Sequence, residues 1–247
     1  MAARMRLDKL LVQRNLVRDL ETARAVIGAG RVLVDDQVAD KAGWPVSASC
    51  RLFLKQPSRY VSRGGRKLEE GLRRFGLDVR GYICADIGCS TGGFTDCLLQ
   101  HGAARVYSVD VGYGVLDWRL RNDPRVIVLE RTNARFLSGK DISRPLDLVV
   151  IDASFISLSL LLPPVLPLFA DQARILALVK PQFELARNKV AKGGVVRDSA
   201  LHEEAVAKVR QAGEALGLTC RGSVRAPIRG AKGNQEFLIY FVGENEQ

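Results

Sequence analysis

The stretch 82–95, YICADIGCSTGGFT, constrains this chain more than any other. An apolar run of strand length breaks into a glycine-rich loop and then a helix, the order in which α/β proteins hold the charged part of a cofactor. Gly88, Gly92 and Gly93 give G-x-x-x-G-G, not the G-x-G-x-x-G of a dinucleotide-binding turn. Asp86 decides between cofactors. A carboxylate two positions before the first glycine repels a pyrophosphate but suits a ligand carrying an ammonium and a sulfonium, so the loop reads as a site for S-adenosylmethionine. Its candidate contacts are Asp86, Gly88, Cys89, Ser90, Thr91, Gly92, Gly93, Phe94 and Thr95. Asp110 ends the next apolar run, 22 residues after Gly88, where a carboxylate can accept hydrogen bonds from ribose hydroxyls. The plainer alternative is an ordinary strand-to-helix turn capped by Thr91 or Thr95.

Charge narrows the partner. Of 247 residues, 37 are Lys or Arg and 27 Asp or Glu, a net charge of +10, which points to a polyanion or an anionic surface. Residues 1–63 hold 12 basic and 6 acidic side chains, so a quarter of the chain carries over half of the excess. Five cysteines without a C-x-x-C pair imply neither a disulfide framework nor a zinc site, and two histidines add no metal signal. The opening MAARMRLDKLL has charges where a signal peptide needs an apolar core, so a cytoplasmic location is expected. The longest apolar region, 155–169, is too short to span a bilayer and is broken by Pro163, Pro164 and Pro167.

Residues 1–60 read as a small α+β domain. Leu7, Leu10 and Leu11 recur at helical spacing, and Leu20, Ala23 and Ile27 repeat the pattern. RVLVDDQVA then reads as strand, turn, strand, and CRLFLKQ as a further strand before Pro57. Arg6, Lys9, Arg18, Arg24 and Arg31 fall on or beside the helices, free to meet phosphates. The segment RLDKLLVQRNLVRDLETARAVIGAGRVLVDDQV resembles the alpha-L RNA-binding motif of a small-subunit ribosomal protein and of pseudouridine synthases. It departs at Asp36-Gln37, where many relatives carry Asn-Gly, which puts the turn type in question. A linker at 61–66, with Arg63 and Arg66 as RNA contacts, leads into a second domain over 67–247.

That domain alternates as a doubly wound sheet does, with RVIVLE, LDLVVID and ARILALVK as strands, a helix near 200–216 and a closing antiparallel hairpin. Ligands of such sheets sit at the carboxyl ends of the strands, so Asp152 and Lys180, which close successive strands, face the cleft. Asn133 stands where it can edge an adenine ring or simply cap a turn. The segment 182–197 presents Arg187, Lys189, Lys192 and Arg197 around Gly193-Gly194 and reads as a basic loop that closes over RNA.

RLDKLL, YVSRGGRKLEEGL, DIGCSTGGFTD, VVIDASFISL, LVKPQFE and KGGVVRD, in this order, resemble the hemolysin A or TlyA group of ribosomal RNA 2′-O-methyltransferases, whose catalytic body is similar to the FtsJ methyltransferases. The resemblance implies a Rossmann-like seven-stranded sheet with its last strand antiparallel and methylation of a ribose 2′-hydroxyl, by resemblance on cytidine. It also implies a Lys-Asp-Lys-Glu tetrad at Lys67, Asp152, Lys180 and Glu236, without a metal. Glu184 competes for the fourth place. Two other classes stay open: an RNA-binding assembly factor that keeps a cofactor fold, and a membrane-lytic protein, which the absence of a span or a strongly amphipathic insertion helix disfavours.

Overall fold

The computed structural model describes residues 4–55 and 58–244, and the chain forms two compact units, Met1–Ser58 and Arg59–Gln247. In the first, strand β1 (Arg4–Arg6) runs into α1 (Leu7–Gln13), followed by α2 (Leu20–Gly28), β2 (Val32–Val34), β3 (Gln37–Ala39), β4 (Pro45–Ser47) and β5 (Leu52–Leu54). Leu7, Leu10 and Leu11 pack with Ala23, Val26 and Ile27 against Val32 and Val34. Leu20 stands outside this core, because it opens α2 beside the cap residue Asp19, whose Oδ1 accepts from Thr22 N at 2.7 Å. β1 pairs with β4, a two-stranded sheet that three-residue strands are too short to announce by alternation. At the β2–β3 turn both Asp35 and Asp36 have positive φ, 46° and 68°, as a type I′ hairpin requires, even without the usual glycine. Arg51 compensates: its N–H donates to Asp35 Oδ1 at 2.9 Å and its guanidinium to Asp36 Oδ2 at 2.6 Å. Gln56 and Pro57, where the third strand was expected to end, lie outside the described residues.

The second unit comprises α3 (Gly64–Phe75), β6 (Ile83–Ile87), α4 (Gly93–Gln100), β7 (Arg105–Val109), α5 (Trp118–Arg121), β8 (Val126–Leu129), β9 (Leu148–Ile151), α6 (Leu162–Val165), β10 (Gln172–Val179), α7 (Pro181–Glu184), α8 (Ser199–Glu214), β11 (Thr219–Arg225) and β12 (Phe237–Glu244). The seven-stranded sheet has the order β11-β12-β10-β9-β6-β7-β8, and β12 is antiparallel to both of its neighbours. The last strand thus inserts between β10 and β11. Its antiparallel course sets its first residue, Phe237, against the last residue of β10, Val179. All four residues of β9 are buried, as a strand covered on both faces must be.

The expected linker 61–66 belongs to this unit. α3 already begins at Gly64, and Tyr60 is buried beneath it. A Cβ at Gly65 would lie 2.3 Å from Tyr60 Cγ, so the glycine pair marks close packing, not a hinge. Glycine acts the same way in α8, where a Cβ at Gly213 would lie 2.5 Å from Phe241 Cε1. Helix propensity favours Ala over Gly by about 1 kcal/mol, but overpacking a core costs about 1–3 kcal/mol. Gly213→Ala is therefore expected to lower the urea midpoint. Gly28→Ala, in a helix where the new methyl meets nothing within 4 Å, is expected to hold or raise it. A stabilised Gly213→Ala would contradict the packing.

Candidate active site

The glycine-rich turn, the carboxyl ends of β6, β7, β9 and β10, and the start of α3 meet at one edge of the sheet. Two cavities open there, of about 270 Å³ and about 320 Å³, which share Gly88, Ser90, Asp152 and Ser154 as walls. The smaller holds the charged groups, Lys67, Asp86, Asp152 and Lys180 among them. The larger is walled mainly by apolar side chains, with Asp110 and Asn133 at its margin.

Asp86 is fully buried at the end of β6. Its Oδ2 accepts from Thr95 N at 2.9 Å and from Thr95 Oγ1 at 2.7 Å, and Thr95 Oγ1 also meets Ser108 Oγ at 2.8 Å. Its Oδ1 has no partner. Burial pushes the Asp86 carboxyl up to about 7, with the Thr95 hydrogen bonds opposing and the charge of Asp152 adding to the rise. A buried carboxylate with one free oxygen at a cavity wall is built for a cationic donor.

The loop after β6 fits close approach. Gly88 has φ 82°, and a Cβ there would lie 2.9 Å from the Asp152 carbonyl oxygen. Gly93 is equally tight, its Cβ position falling 2.2 Å from Ser62 Oγ, so α3 and α4 start side by side. Cys89, Ser90, Thr91 and Phe94 line the charged cavity as expected. Gly92 and Thr95 do not line it. Gly92 turns the chain at φ 93° beneath Leu116 and Leu120, and Thr95 points inward to hold Asp86, so both support the cradle from behind. Asp110 accepts from Ser90 N and Gly112 N, both at 2.8 Å, which fixes the loop while leaving each oxygen a second lone pair. Asn133 caps the turn at Arg135 N and also lines the larger cavity.

Two buried ammonium groups stand at the charged cavity. Lys67 Nζ donates to Glu236 Oε2 at 2.5 Å, with both side chains nearly buried. Lys180 Nζ lies 2.7 Å from Asp152 Oδ1 and donates to Ser154 Oγ at 2.8 Å. Glu236 reaches this edge because it immediately precedes β12, whose start is paired with the end of β10. Of the two competing carboxylates, Glu236 is the one that meets Lys67. Glu184, buried and with its carboxyl pushed up by that burial, accepts from Ser157 Oγ at 2.6 Å and Leu158 N at 2.9 Å and so orders the loop after Asp152. Burial also pushes the Cys89 thiol up, which disfavours a thiolate in the cavity.

Ser62, Ser154 and Gly230 line the site without having been singled out, since a serine or glycine carries no sequence pattern of its own. Phe155 offered a clearer signal: a large aromatic after a strand-ending Asp, here at φ 65° and 90 % exposed. Arg63, on the charged cavity, and Arg66 are exposed. The segment 182–197 is tied down. Lys189 pairs with Glu204 at 2.7 Å, and buried Asn234 bonds Val196 N at 2.9 Å and Gly194 O at 2.8 Å, while Arg187 and Lys192 stay exposed. In the first unit, Arg6 and Arg24 gather on Asp8, Arg18 pairs with Asp19, Arg31 bonds Lys55 O, and Lys9 is exposed. Among the described residues no group of three or more His, Cys, Asp or Glu side chains is placed to hold a metal, and no helix is long and apolar enough to cross a membrane.

The sheet order and the strand-end site define a Rossmann-like methyltransferase fold. Residues 60–242 match the FtsJ-like methyltransferase family and residues 5–49 match the S4 domain. The chain belongs to the FtsJ-like methyltransferase family and carries an N-terminal S4 domain. It is 46 % identical, over 100 % of its length and 93 % of the relative's, to the 16S/23S rRNA (cytidine-2′-O)-methyltransferase TlyA of Mycobacterium tuberculosis. It is 37 % identical to Hemolysin A of Brachyspira hyodysenteriae, over 96 % of this chain and all of that one. A solved structure that carries the hemolysin name, from Streptococcus thermophilus, aligns with a TM-score of 0.75 at 40 % identity, covering 98 % of this chain and 90 % of the other.

The raised Asp86 carboxyl makes stability depend on pH with a definite sign. A carboxyl that binds its proton more tightly folded than unfolded contributes stability at pH below about 4 that is lost as pH rises through about 7. The ligand-free protein is therefore expected to lose urea resistance between about pH 4 and pH 7. Asp86→Asn, which cannot ionise, is expected to lose less. Parallel curves for the two proteins would show that Asp86 is not held as the structure holds it.

Proposed function

We propose that the protein transfers a methyl group from S-adenosylmethionine to a ribose 2′-hydroxyl of ribosomal RNA, on cytidine, using Lys67, Asp152, Lys180 and Glu236. The observation that carries this reading is the pair of carboxylate-bound lysines, Lys180 with Asp152 and Lys67 with Glu236, beside the free oxygen of Asp86. The naming of the Mycobacterium relative as an rRNA cytidine-2′-O-methyltransferase supports the substrate.

The residues fit the cofactor. Asp86 Oδ1 suits the ammonium, Asp110 the ribose hydroxyls, and the apolar cavity edged by Asn133 the adenine. When bound, S-adenosylmethionine supplies a methyl carbon on a cationic sulfur. The rest of the chemistry falls to the chain. A 2′-hydroxyl is a weak nucleophile that must be aimed in line with that methyl and relieved of its proton as the O–C bond forms and the C–S bond breaks. Lys180 is positioned for this contact together with Asp152: once the ammonium has passed a proton to Asp152 Oδ1, 2.7 Å away, the amine can take the hydroxyl proton, and Ser154 fixes its Nζ at the strand end where the two cavities join. Lys67 on Glu236 holds the far side of the acceptor cavity. A covalent route through a cysteine is disfavoured by the protonated state that burial imposes on Cys89. Phe155, exposed beside the site, offers a ring on which an unstacked base can rest. The S4 domain, with Arg6, Lys9, Arg18, Arg24 and Arg31, binds the RNA by phosphate contact.

The test is transfer of labelled methyl to purified small and large ribosomal subunits, with the product located by 2′-O-methyl-sensitive primer extension. Wild type is expected to modify a cytidine. Lys180→Ala is expected to be slower by about 10²–10⁴-fold, the range for loss of a proton-transfer group, while still binding S-adenosylmethionine. A wild-type protein that binds the cofactor but methylates neither subunits nor naked ribosomal RNA would overturn the substrate assignment and favour an assembly factor.

A further inference from the structure

A third cavity of the catalytic unit, about 430 Å³, is lined by Arg197, Arg225, Arg229 and Lys232. Some exposed arginines of this unit are matched with a nearby carboxylate, as Arg80 is with Asp78, Arg119 with Asp117 and Arg125 with Asp123, and others, such as Arg66 and Arg187, stand singly; here four cations share one cavity. Among the described residues none of the four cavity cations makes a salt bridge. Four uncompensated cations around one concavity repel each other, and an anion placed among them removes that cost.

The cavity is built, and it adjoins the catalytic one. Asn234, 2 % exposed, clamps two loops together: its side chain accepts from Val196 N and donates to Gly194 O, and its carbonyl accepts from Gly230 N at 2.9 Å. Lys232 at φ 56° and Gly233 at φ 85° complete the turn that presents the cations. Gly230 on the same loop lines the catalytic cavity and lies over Glu236, where a Cβ would fall 1.8 Å from Oε1. Its chain neighbour Arg229 lines the basic cavity, about 3.8 Å away along the backbone. One loop therefore walls the acceptor cavity on one side and the cationic cavity on the other.

We propose that Arg197, Arg225, Arg229 and Lys232 form a site for the phosphodiester backbone of the acceptor RNA, on the strand that carries the reacting ribose. This rests on the RNA methyltransferase reading and adds the place where the strand is gripped. A backbone fits better than a small free anion because all four cations are exposed to solvent and the loop that carries Arg229 also walls the catalytic cavity through Gly230. Arginine forks match phosphate oxygens in pairs. The site selects no base, because its contacts are to phosphate.

The test measures binding and turnover of ribosomal subunits by wild type, Arg225→Ala/Arg229→Ala, and the charge-keeping Arg225→Lys/Arg229→Lys across a salt series. Cofactor binding by calorimetry reports folding of each variant. The alanine pair is expected to raise KM for subunits about tenfold or more, with kcat changed less than about threefold, and to flatten log K against log salt by about one per lost phosphate contact. The lysine pair is expected to recover most of the salt slope. Should the alanine pair fail to bind cofactor, Lys232→Gln carries the same readout at about half the effect. Unchanged KM and salt slope in a folded variant would overturn the site, including the case in which the cavity serves an acidic protein instead. No transfer by wild type would sink the methyltransferase reading alone, since the salt slope of RNA binding still decides the phosphate site.

Discussion

Two lysines are buried at the carboxyl edge of the sheet, and the rest of the site is arranged around the need to neutralise them. An ammonium taken out of water is costly unless it is paired and hydrogen-bonded. Lys180 finds Asp152 on the neighbouring strand, and Lys67 finds Glu236. The second pairing depends on topology. A final strand that returns antiparallel between β10 and β11 begins where β10 ends, so the residue before Phe237 is delivered to the edge where Lys67 lies. Removing one partner of such a buried pair typically costs about 3–5 kcal/mol, so the machinery and the stability of this edge are joined.

The same economy of charge runs through the glycine-rich loop. Asp86 is satisfied on one oxygen by Thr95 and left open on the other, a state that burial makes costly at neutral pH and that a cationic ligand relieves. Asp110 uses one lone pair of each oxygen to hold the loop. Glu184 serves the loop after Asp152 and takes no part in the lysine pairs. Five carboxylates near one edge, Asp86, Asp110, Asp152, Glu184 and Glu236, thus have duties set by what each one touches.

Much of this was legible in the sequence because parallel strands deliver their final residues to one edge. Asp110, Asp152 and Lys180 each close an apolar run and Asp86 lies one residue short of the end of its own, so their convergence follows from the order of elements alone. Lys67 and Glu236 close no strand, and only the family resemblance singled them out; their contact needs the insertion of β12, which no local pattern reports. The misreadings have the same origin. Gly64 and Gly65 looked like a linker because glycine is ambiguous between flexibility and close approach, and only the Tyr60 ring decides between them. Gly92 and Thr95 sit in the same motif but do not line the cavity: Gly92 lies under Leu116 and Leu120, and the Thr95 side chain turns inward to Asp86, neither of which spacing reports. The basic cavity brings together the end of β11, a turn and the segment before α8, and of its four cations only Arg197, in KGGVVRD, lies in a stretch the sequence singled out.

The account stands on the buried Lys67–Glu236 pair serving the acceptor and not the cofactor. The direct measurement is single-turnover methyl transfer by Glu236→Gln, which keeps the shape and a hydrogen bond but removes the charge, alongside calorimetric binding of S-adenosylmethionine. The account predicts cofactor affinity within about threefold of wild type and transfer slowed by about 10²-fold or more. Wild-type transfer, or a loss of cofactor binding that accounts for the whole defect, would contradict it.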